Sequence, residues 1–262
     1  MKPKPQVLEV WGDFACFSRP ELKVERFSYP IITPSAARGI FDAIYCKPNK
    51  DPSQAQFRWQ ITKIELLAPI AYISLRRNEV KEKIELGTDT DPLKYAQSWI
   101  DGQSLPDLIY ADADRGFSGN DTKGRTQRQT MALKNVRYRL TAEVRPFPGH
   151  EDKQQSLESQ FRRRASHGKC FHQPCMGCRE FPAYFELKEI GEEMRKPEAY
   201  SQDAGFMLYD VFDLRRPGLP LMEGEKPFIS LFNARIQDGT LNVPEFDSPE
   251  VLKPEQKEIV HA

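Results

Sequence analysis

Strand-type and helix-type patterns follow one another along the first 190 residues in the order β-α-β-β-α-β. Side chains alternate between two faces in a strand, whereas a helix repeats its apolar residues at three- and four-residue intervals. The strand patterns cover 7–17, 57–75 (broken at Ala68-Pro69), 133–144 and 181–190, and the helix patterns cover 34–47 and 156–167. The same order defines the ferredoxin-like fold, which RNA-recognition domains also use.

The remainder of the chain has a different character. Residues 78–130 are rich in Asp, Gly, Thr, Ser and Gln and show little periodicity, so this long run is expected to be functional or mobile. Strand patterns at 206–214 and 228–236, and the turn signal Gln237-Asp238-Gly239 before 240–243, predict a C-terminal β-hairpin. The acidic, Pro-rich tail beyond Pro244 is expected to be frayed.

These patterns predict an α+β protein in two parts. Residues 1–190 would form a ferredoxin-like N-terminal domain with a variable insertion at about 78–130. Residues 191–262 would form a β-rich C-terminal extension with an acidic tail.

Charge is unevenly distributed although 38 Lys and Arg residues balance 38 Asp and Glu residues. Residues 180–262 hold 9 basic and 17 acidic side chains, a net charge of −8, so residues 1–179 carry +8. Such asymmetry favours binding of a polyanion on one side of the molecule.

The positive charge is concentrated in two neighbouring stretches. Residues 115–145 hold 8 basic and 2 acidic side chains, and Arg162-Arg163-Arg164, Lys169 and Arg179 follow. In a strand over 133–144, Arg137 and Arg139 would share one face, and guanidinium groups match the geometry of phosphate oxygens. A lone charge run usually marks only a solvated face. Several basic elements in one ferredoxin-like fold make nucleic-acid binding an equal alternative.

Several other classes find little support. No P-loop, dinucleotide fingerprint or nucleophile-elbow motif occurs, and no stretch reaches the ~18 apolar residues of a membrane span. The start of the chain shows no secretory signal, so a cytoplasmic, reduced protein is expected. Cys170, His172, Cys175 and Cys178 lie within nine residues, and buried thiols in a tight loop are a better interpretation of them than a zinc site.

Several motifs resemble the Cas-five family of type I-C (Dvulg) CRISPR systems, from the first strand to about Glu186. These motifs are VWGDFACFSRPELKVER (10–26), TPSAARG (33–39), IYCKP (44–48), LRRNEV (75–80) and CFHQPCMGCREFP (170–182). Weaker likeness continues through the hairpin at 233–239. Their length and order make the resemblance specific.

The resemblance implies a CRISPR RNA-processing endoribonuclease of the repeat-associated (RAMP) type in the prokaryotic cytoplasm. Such a protein binds the crRNA repeat, cuts the precursor without a metal or other cofactor, and stays on the 5′ handle as a Cascade subunit in antiviral defence. The implied partners are precursor RNA, the mature 5′ handle, the Cas-seven-type backbone, the Cas-eight-type large subunit and target DNA within the complex, with no membrane.

The resemblance also implies a catalytic site. Family members use a Tyr on the first helix, which Tyr45 matches, and a Lys-His pair near the start of the second helix. That pair is absent in register near Ser156, and the nearest candidates are Lys153 and His150. Either these two act from a shifted position, or the site is built differently, or cleavage is weak or absent. The candidate RNA-binding residues are Lys23, Arg26, Arg38, Arg76, Arg77, Arg125, Arg128, Arg162, Arg163 and Arg179.

The expected chemistry needs three functions. A base activates the RNA's own 2′-hydroxyl, a cation lies beside the phosphate, and an acid protonates the leaving 5′-oxygen. His suits the acid or base role and Lys the cation role, whereas Tyr is a poor base unless cations lower its pKa. Two alternatives stay open: a non-catalytic Cascade subunit that caps the crRNA 5′ handle, and a generic RNA-binding module.

Overall fold

The computed structural model describes residues 3–22, 25–47, 55–80, 97–102, 125–189, 194–216 and 227–254. Two compact units are distinguished by their internal contacts: the first comprises Met1–Ser74 and Met131–Ala262, and the second comprises Leu75–Thr130. The described part of the second unit contains strand residues and a helical turn at 97–100. Much of the predicted insertion, at 81–96 and 103–124, lies outside the described residues.

The described residues form one large sheet and two principal helices. The elements are β1 Gln6–Ala15, β2 Arg26–Phe27, α1 Pro34–Ile44, β3 Phe57–Leu66, β4 Tyr72–Val80, β5 Arg125–Pro146, a 3-10 turn Glu151–Lys153, α2 Gln154–Ala165, β6 Tyr184–Lys188, β7 Gln202–Asp210, β8 Ser230–Gln237, β9 Thr240–Asn242 and β10 Val251–Leu252. The strands pair in the order β10-β8-β9-β3-β5-β1-β6, while β2 and β4 pair with β5 and β7 pairs with β8. The pairs along the main path are antiparallel.

Helix α1 begins where its sequence provides a cap. The Thr33 hydroxyl accepts a hydrogen bond from the Ala36 amide, and Pro34 occupies the first turn, where no amide donor is needed. The buried face of α1 packs on β3. The helix ends at Ile44, so Tyr45 becomes the first residue beyond it.

An aromatic cluster fixes both helices against the same part of the sheet. The ring centroid of Trp59 in β3 lies 4.9 Å from that of Phe41 in α1 and 4.6 Å from that of Phe161 in α2. The two Phe rings are 5.4 Å apart. All three side chains are fully buried. Their packing therefore determines where the C-terminal ends of α1 and α2 lie.

Most predicted elements are confirmed, with shifted ends. The strand pattern at 57–75 divides into β3 and β4, as the break at Ala68-Pro69 suggested, whereas β5 begins eight residues before the predicted start at Leu133. The predicted hairpin is present between β8 and β9. Asp238 and Gly239 take the positive φ values of 45° and 72° that a tight hairpin turn requires.

The prediction of a frayed tail beyond Pro244 is wrong for residues 245–254, and residues 255–262 lie outside the described part of the chain. The Pro244 carbonyl accepts a hydrogen bond of 2.8 Å from the Tyr209 hydroxyl, the Phe246 side chain is fully buried, and β10 pairs with β8. A Pro-rich acidic composition hides the two apolar residues, Phe246 and Val251, that anchor this segment in the core. Among the described helices, none is both long and apolar enough to cross a membrane.

Candidate functional site

Tyr45 follows the end of α1 and lies beside the first residue of β3, an interior strand of the sheet. Its amide donates to the Phe41 carbonyl, and its own carbonyl accepts a hydrogen bond of 3.0 Å from the Trp59 indole. The ring stacks on Phe57, the first residue of β3, with 5.5 Å between centroids. These contacts fix the Tyr45 side chain against the start of β3.

The turn that carries His150 and Lys153 follows the end of β5, next to the start of β3. Phe57 pairs with Pro146, the last residue of β5, and the Phe147 amide donates to the Gln56 carbonyl. From there, the His150 amide donates to the Phe147 carbonyl and the Lys153 amide to the His150 carbonyl. Backbone contacts therefore connect the start of β3 to the turn that precedes α2.

His150 and Lys153 contact each other directly. The Lys153 ammonium lies 3.3 Å from the His150 ring nitrogen Nδ1, and Lys153 is exposed. A Lys and a His thus form a pair although they are three residues apart. The sequence could not establish this contact, because it depends on the 3-10 turn Glu151–Lys153 that follows His150.

The last turn of α2 supplies further cations to the end of α1. The Arg164 side chain donates a 2.7 Å hydrogen bond from Nε to the Ile44 carbonyl, and its guanidinium lies 4.0 Å from the centroid of the Phe171 ring. The Phe171 amide in turn donates to the Ala43 carbonyl. We call Tyr45, His150, Lys153, Arg163 and Arg164 collectively the edge cluster. It has two parts, because His150 and Lys153 precede the first turn of α2 whereas the two arginines lie in its last turn, about 15 Å further along the helix.

The electrostatic environment keeps the Tyr45 hydroxyl protonated. Burial raises its pKa, and this effect outweighs the opposing influence of Arg164 and Arg163. The side chain is only 6% exposed. A phenol with a raised pKa donates a hydrogen bond at neutral pH but does not act as a base.

Three of the predicted RNA-binding arginines have carboxylate partners within the protein. Arg38 binds Asp210 and Asp42 through three hydrogen bonds, and its side chain is 16% exposed. Arg162 pairs with Glu189, and Arg26 pairs with Glu180 at 3.1 Å. Arg38 therefore has a structural role in the fold through these ion pairs, and its contact with a phosphate stays a prediction.

The remaining predicted cations differ in accessibility. Arg163 and Arg179 are exposed in the first unit; Arg76 is exposed in the second unit, where Arg77 and Arg128 are half-buried. Arg77 donates to the Thr130 hydroxyl within the second unit. Lys23 and the side chain of Arg125 lie outside the described residues.

The two arginines on β5 have carboxylate partners on the neighbouring strands. Arg137 and Arg139 do share one face, but Arg137 contacts Glu9 at 2.5 Å and lies 4.9 Å above Trp11. Arg139 is buried, bonded to Glu65 and to the Arg195 carbonyl. Both guanidinium groups therefore form ion pairs with acidic residues on the neighbouring strands. The local charge run could not predict these pairs, because they depend on which strands lie side by side.

The structure also reveals candidate residues that the sequence did not single out. Arg164 and Phe171 meet at the end of α1, while Trp11 and Tyr184 stack across β1 and β6 with 6.2 Å between centroids. Phe27 and Tyr72 are large aromatic side chains with exposed surface, 5.6 Å apart. Phe171 could have been suggested by its place in the motif at 170–182. The aromatic pairs could not, because they depend on which residues face each other across neighbouring strands.

The cysteine loop has no grouping typical of a metal site within the described part of the chain. Its cysteines carry free thiols, and Cys178 lies next to Arg26 and to the buried Cys16. Desolvation raises the pKa of the Cys175 thiol, which opposes formation of the thiolate that zinc requires. The loop instead packs against the end of β1, where the Cys16 amide donates to the Met176 carbonyl.

Comparisons with known proteins agree with the resemblance. Residues 7–244 match the model of a family described as CRISPR-associated protein (Cas_Cas5). A CRISPR pre-crRNA endoribonuclease Cas5d of Mannheimia succiniciproducens is 36% identical over 94% of this chain and 97% of its own length. A Cas5d of Thermus thermophilus with the same description is 34% identical over 90% of each chain. A crystal structure of a CRISPR-associated protein, 15% identical, shares the fold with a TM-score of 0.59 over 95% of this chain and 96% of its own.

Proposed function

The chain belongs to the Cas5 family of CRISPR-associated proteins, and from this premise we propose that it is a metal-independent endoribonuclease of precursor CRISPR RNA. The proposal includes binding of the repeat and retention of the 5′ handle within a type I-C Cascade complex. Two relatives with matching length are described as pre-crRNA endoribonucleases, which supports the same activity here. The cytoplasmic location and the backbone and large-subunit partners stay predictions.

The observation that carries the proposal is the edge cluster. It comprises two groups: a protonated phenol beside the arginines in the last turn of α2, and a contacting Lys-His pair just before the first turn of the same helix. These are the group types that cleavage of RNA by its own 2′-hydroxyl requires.

The reaction can be assigned to these residues step by step. The 2′-oxygen of the nucleotide before the cut loses its proton and attacks the adjacent phosphorus, and the bond from phosphorus to the 5′-oxygen breaks. The products are a 2′,3′-cyclic phosphate and a 5′-hydroxyl group, whose proton comes from the acid. His150 would take the 2′-proton and pass it to the leaving 5′-oxygen, and Lys153 would stabilise charge on the reacting phosphate. Arg163, about 15 Å further along α2, would hold a neighbouring phosphate of the RNA, and the Tyr45 hydroxyl would donate a hydrogen bond.

A ferredoxin-like arrangement is the proposed frame for this site. The segment β6-β1-β5-β3 of the sheet, with α1 and α2 in the connections, has the strand order expected of such a domain. The boundary near residue 190 and the β-rich extension at 191–262 belong to the same proposal.

Incubation with cognate repeat RNA in EDTA tests the enzyme directly. We expect one cut and products that carry a 2′,3′-cyclic phosphate, because no step uses a metal. His150→Ala and Lys153→Ala should slow single-turnover cleavage while the dissociation constant changes little. Binding without any cut by the unaltered protein would refute the enzyme, and unchanged cleavage in both variants would refute the assigned residues.

One sequence feature favours a second function. Gln154 follows Lys153, so the adjacent Lys-His pair of the family is absent. A non-catalytic subunit that caps the crRNA 5′ handle would bind the repeat without cutting it. A separate processing nuclease encoded in the same locus would support that alternative.

A further inference from the structure

A cavity of about 410 Å³ opens on the first unit, away from the edge cluster. Its principal lining residues are Arg19, Phe27, Tyr72, Tyr200, Gln202 and Asp203. The Ser28 amide donates to the Met131 carbonyl and the Lys134 amide to the Ala71 carbonyl, which places the cavity beside residues 131–134 of β5. The edge cluster adjoins Pro146 of the same strand, about 40 Å away along a strand that rises ~3.3 Å per residue.

Aromatic side chains form one wall of this cavity. Phe27 and Tyr72 are 37% and 39% exposed, and their rings are inclined at 44°. The Tyr72 hydroxyl donates to the Ser28 carbonyl, and Tyr200 lies close enough to act on the pKa of Tyr72. A concave surface lined by aromatic rings and a few polar groups is typical of a ligand-binding site.

Polar groups with complementary roles complete the lining. The Arg19 guanidinium lies 4.7 Å from the Tyr29 ring centroid and 3.8 Å from the exposed Glu21 carboxylate, a contact that solvent screens. The exposed Gln202 amide can donate and accept hydrogen bonds, whereas the exposed Asp203 carboxylate accepts them, as it does from the Gly205 amide. An apolar protein segment would leave Arg19 and Asp203 desolvated. A nucleotide suits the lining better, because its base can stack on the rings, its phosphate matches Arg19, and an N–H group on the base edge can donate to Asp203.

We propose that this cavity holds one unpaired nucleobase of the bound RNA, stacked on Phe27 and Tyr72. Arg19 would lie beside the phosphate of that nucleotide, and Gln202 and Asp203 would face the polar edge of its base. The inference rests on the proposed RNA function, but it assigns a second contact, distant from the cut. The cavity therefore contributes to affinity and not to the chemical step.

The test uses the full chain and repeat RNAs in which each unpaired base in turn is replaced by the fluorescent base 2-aminopurine. Stacking on an aromatic ring quenches this fluorescence. We expect one position to be quenched by the unaltered protein and released by Tyr72→Leu and by Phe27→Leu. Each variant should bind about tenfold more weakly, since base–aromatic stacking contributes roughly 1–3 kcal/mol per base, while cleavage at saturating protein changes less than twofold.

Phe206→Leu is the matched control, because Phe206 is 59% exposed and does not line the cavity. It should change neither fluorescence nor affinity. RNA that is cut normally but shows no position released by the two variants would overturn this inference alone, and would leave the cavity to a protein segment. Failure of the unaltered protein to bind repeat RNA would overturn the inference together with the proposed function.

Discussion

The Tyr45 side chain has a structural role in the fold and a proposed role in catalysis. Its ring packs on Phe57 and is almost completely buried, which raises the pKa, while Arg164 and Arg163 act in the opposite direction. The sequence raised the possibility that cations lower this pKa enough to make a base. Burial exceeds their effect, so Tyr45 is assigned to hydrogen-bond donation.

Tyr45→Phe should slow cleavage about 10²-fold, because removal of one preorganised donor typically has this effect. The ring keeps its stacking, so affinity for the repeat should change less than twofold. A raised pKa means that the phenol retains its proton up to higher pH than an ordinary Tyr. The ratio of the cleavage rates of the unaltered protein and the Tyr45→Phe variant should therefore be the same from pH 6 to 9 in single-turnover assays. An effect that appears only at alkaline pH would show that the ionised phenol acts as a base.

Arg38 presents the opposite case, a basic residue whose partners are all internal. Asp210 is 1% exposed and depends on the Arg38 guanidinium for two of its hydrogen bonds. Arg38→Met should lower the free energy of unfolding by about 3–5 kcal/mol, because it leaves Asp210 as an uncompensated buried charge. Urea denaturation measures this change. Arg163→Met, on an exposed side chain, should alter stability by about 0.5 kcal/mol or less, and equal effects would contradict the assignment.

At the scale of elements, the sequence pattern predicted the helices, strands and turns that form because of residues close together in the chain. The helix α1 and the strand β1 follow from capping and alternation, and Gln237-Asp238-Gly239 specified its turn. The His150–Lys153 contact depends on a local 3-10 turn that periodicity does not reveal, and the anchored tail depends on pairing between strands distant in the chain. Sequence position therefore suggested Tyr45 as a candidate site residue and located the basic region. It did not show which arginines form ion pairs with carboxylates.

The C-terminal segment provides an element-scale prediction. Phe246 packs on Tyr209 at 5.7 Å and lies beneath the cations of Arg58 and Lys253. Phe246→Ala should reduce the free energy of unfolding by about 3–5 kcal/mol, as expected for a large buried aromatic residue. Phe206→Ala removes the same atoms from an exposed position and should change it by less than about 1 kcal/mol. Similar melting temperatures for the two variants would restore the frayed-tail interpretation.

Across the whole molecule, the zero net charge is the sum of a basic and an acidic region of the chain. Residues 1–179 carry a net charge of +8 and include the edge cluster, whereas residues 180–262 carry −8 and include β7 to β10. Internal ion pairs reduce the number of basic groups that can meet RNA, since Arg38, Arg137 and Arg139 are bound to carboxylates. The effective interface is therefore smaller than the count of arginines suggests, and single exposed cations should have measurable effects.

Salt dependence of RNA binding can resolve these separate contributions. Arg163→Glu should weaken binding to repeat RNA and reduce the slope of log Kd against log salt by about 0.7, the value for one phosphate on a single strand. Lys196→Glu makes the same charge change on an exposed residue in the acidic region and should leave the slope unaltered. Arg162→Glu should fall between them, because its guanidinium is already paired with Glu189. Equal slopes for all three variants would mean that only total charge matters and that the segregation has no role in RNA binding.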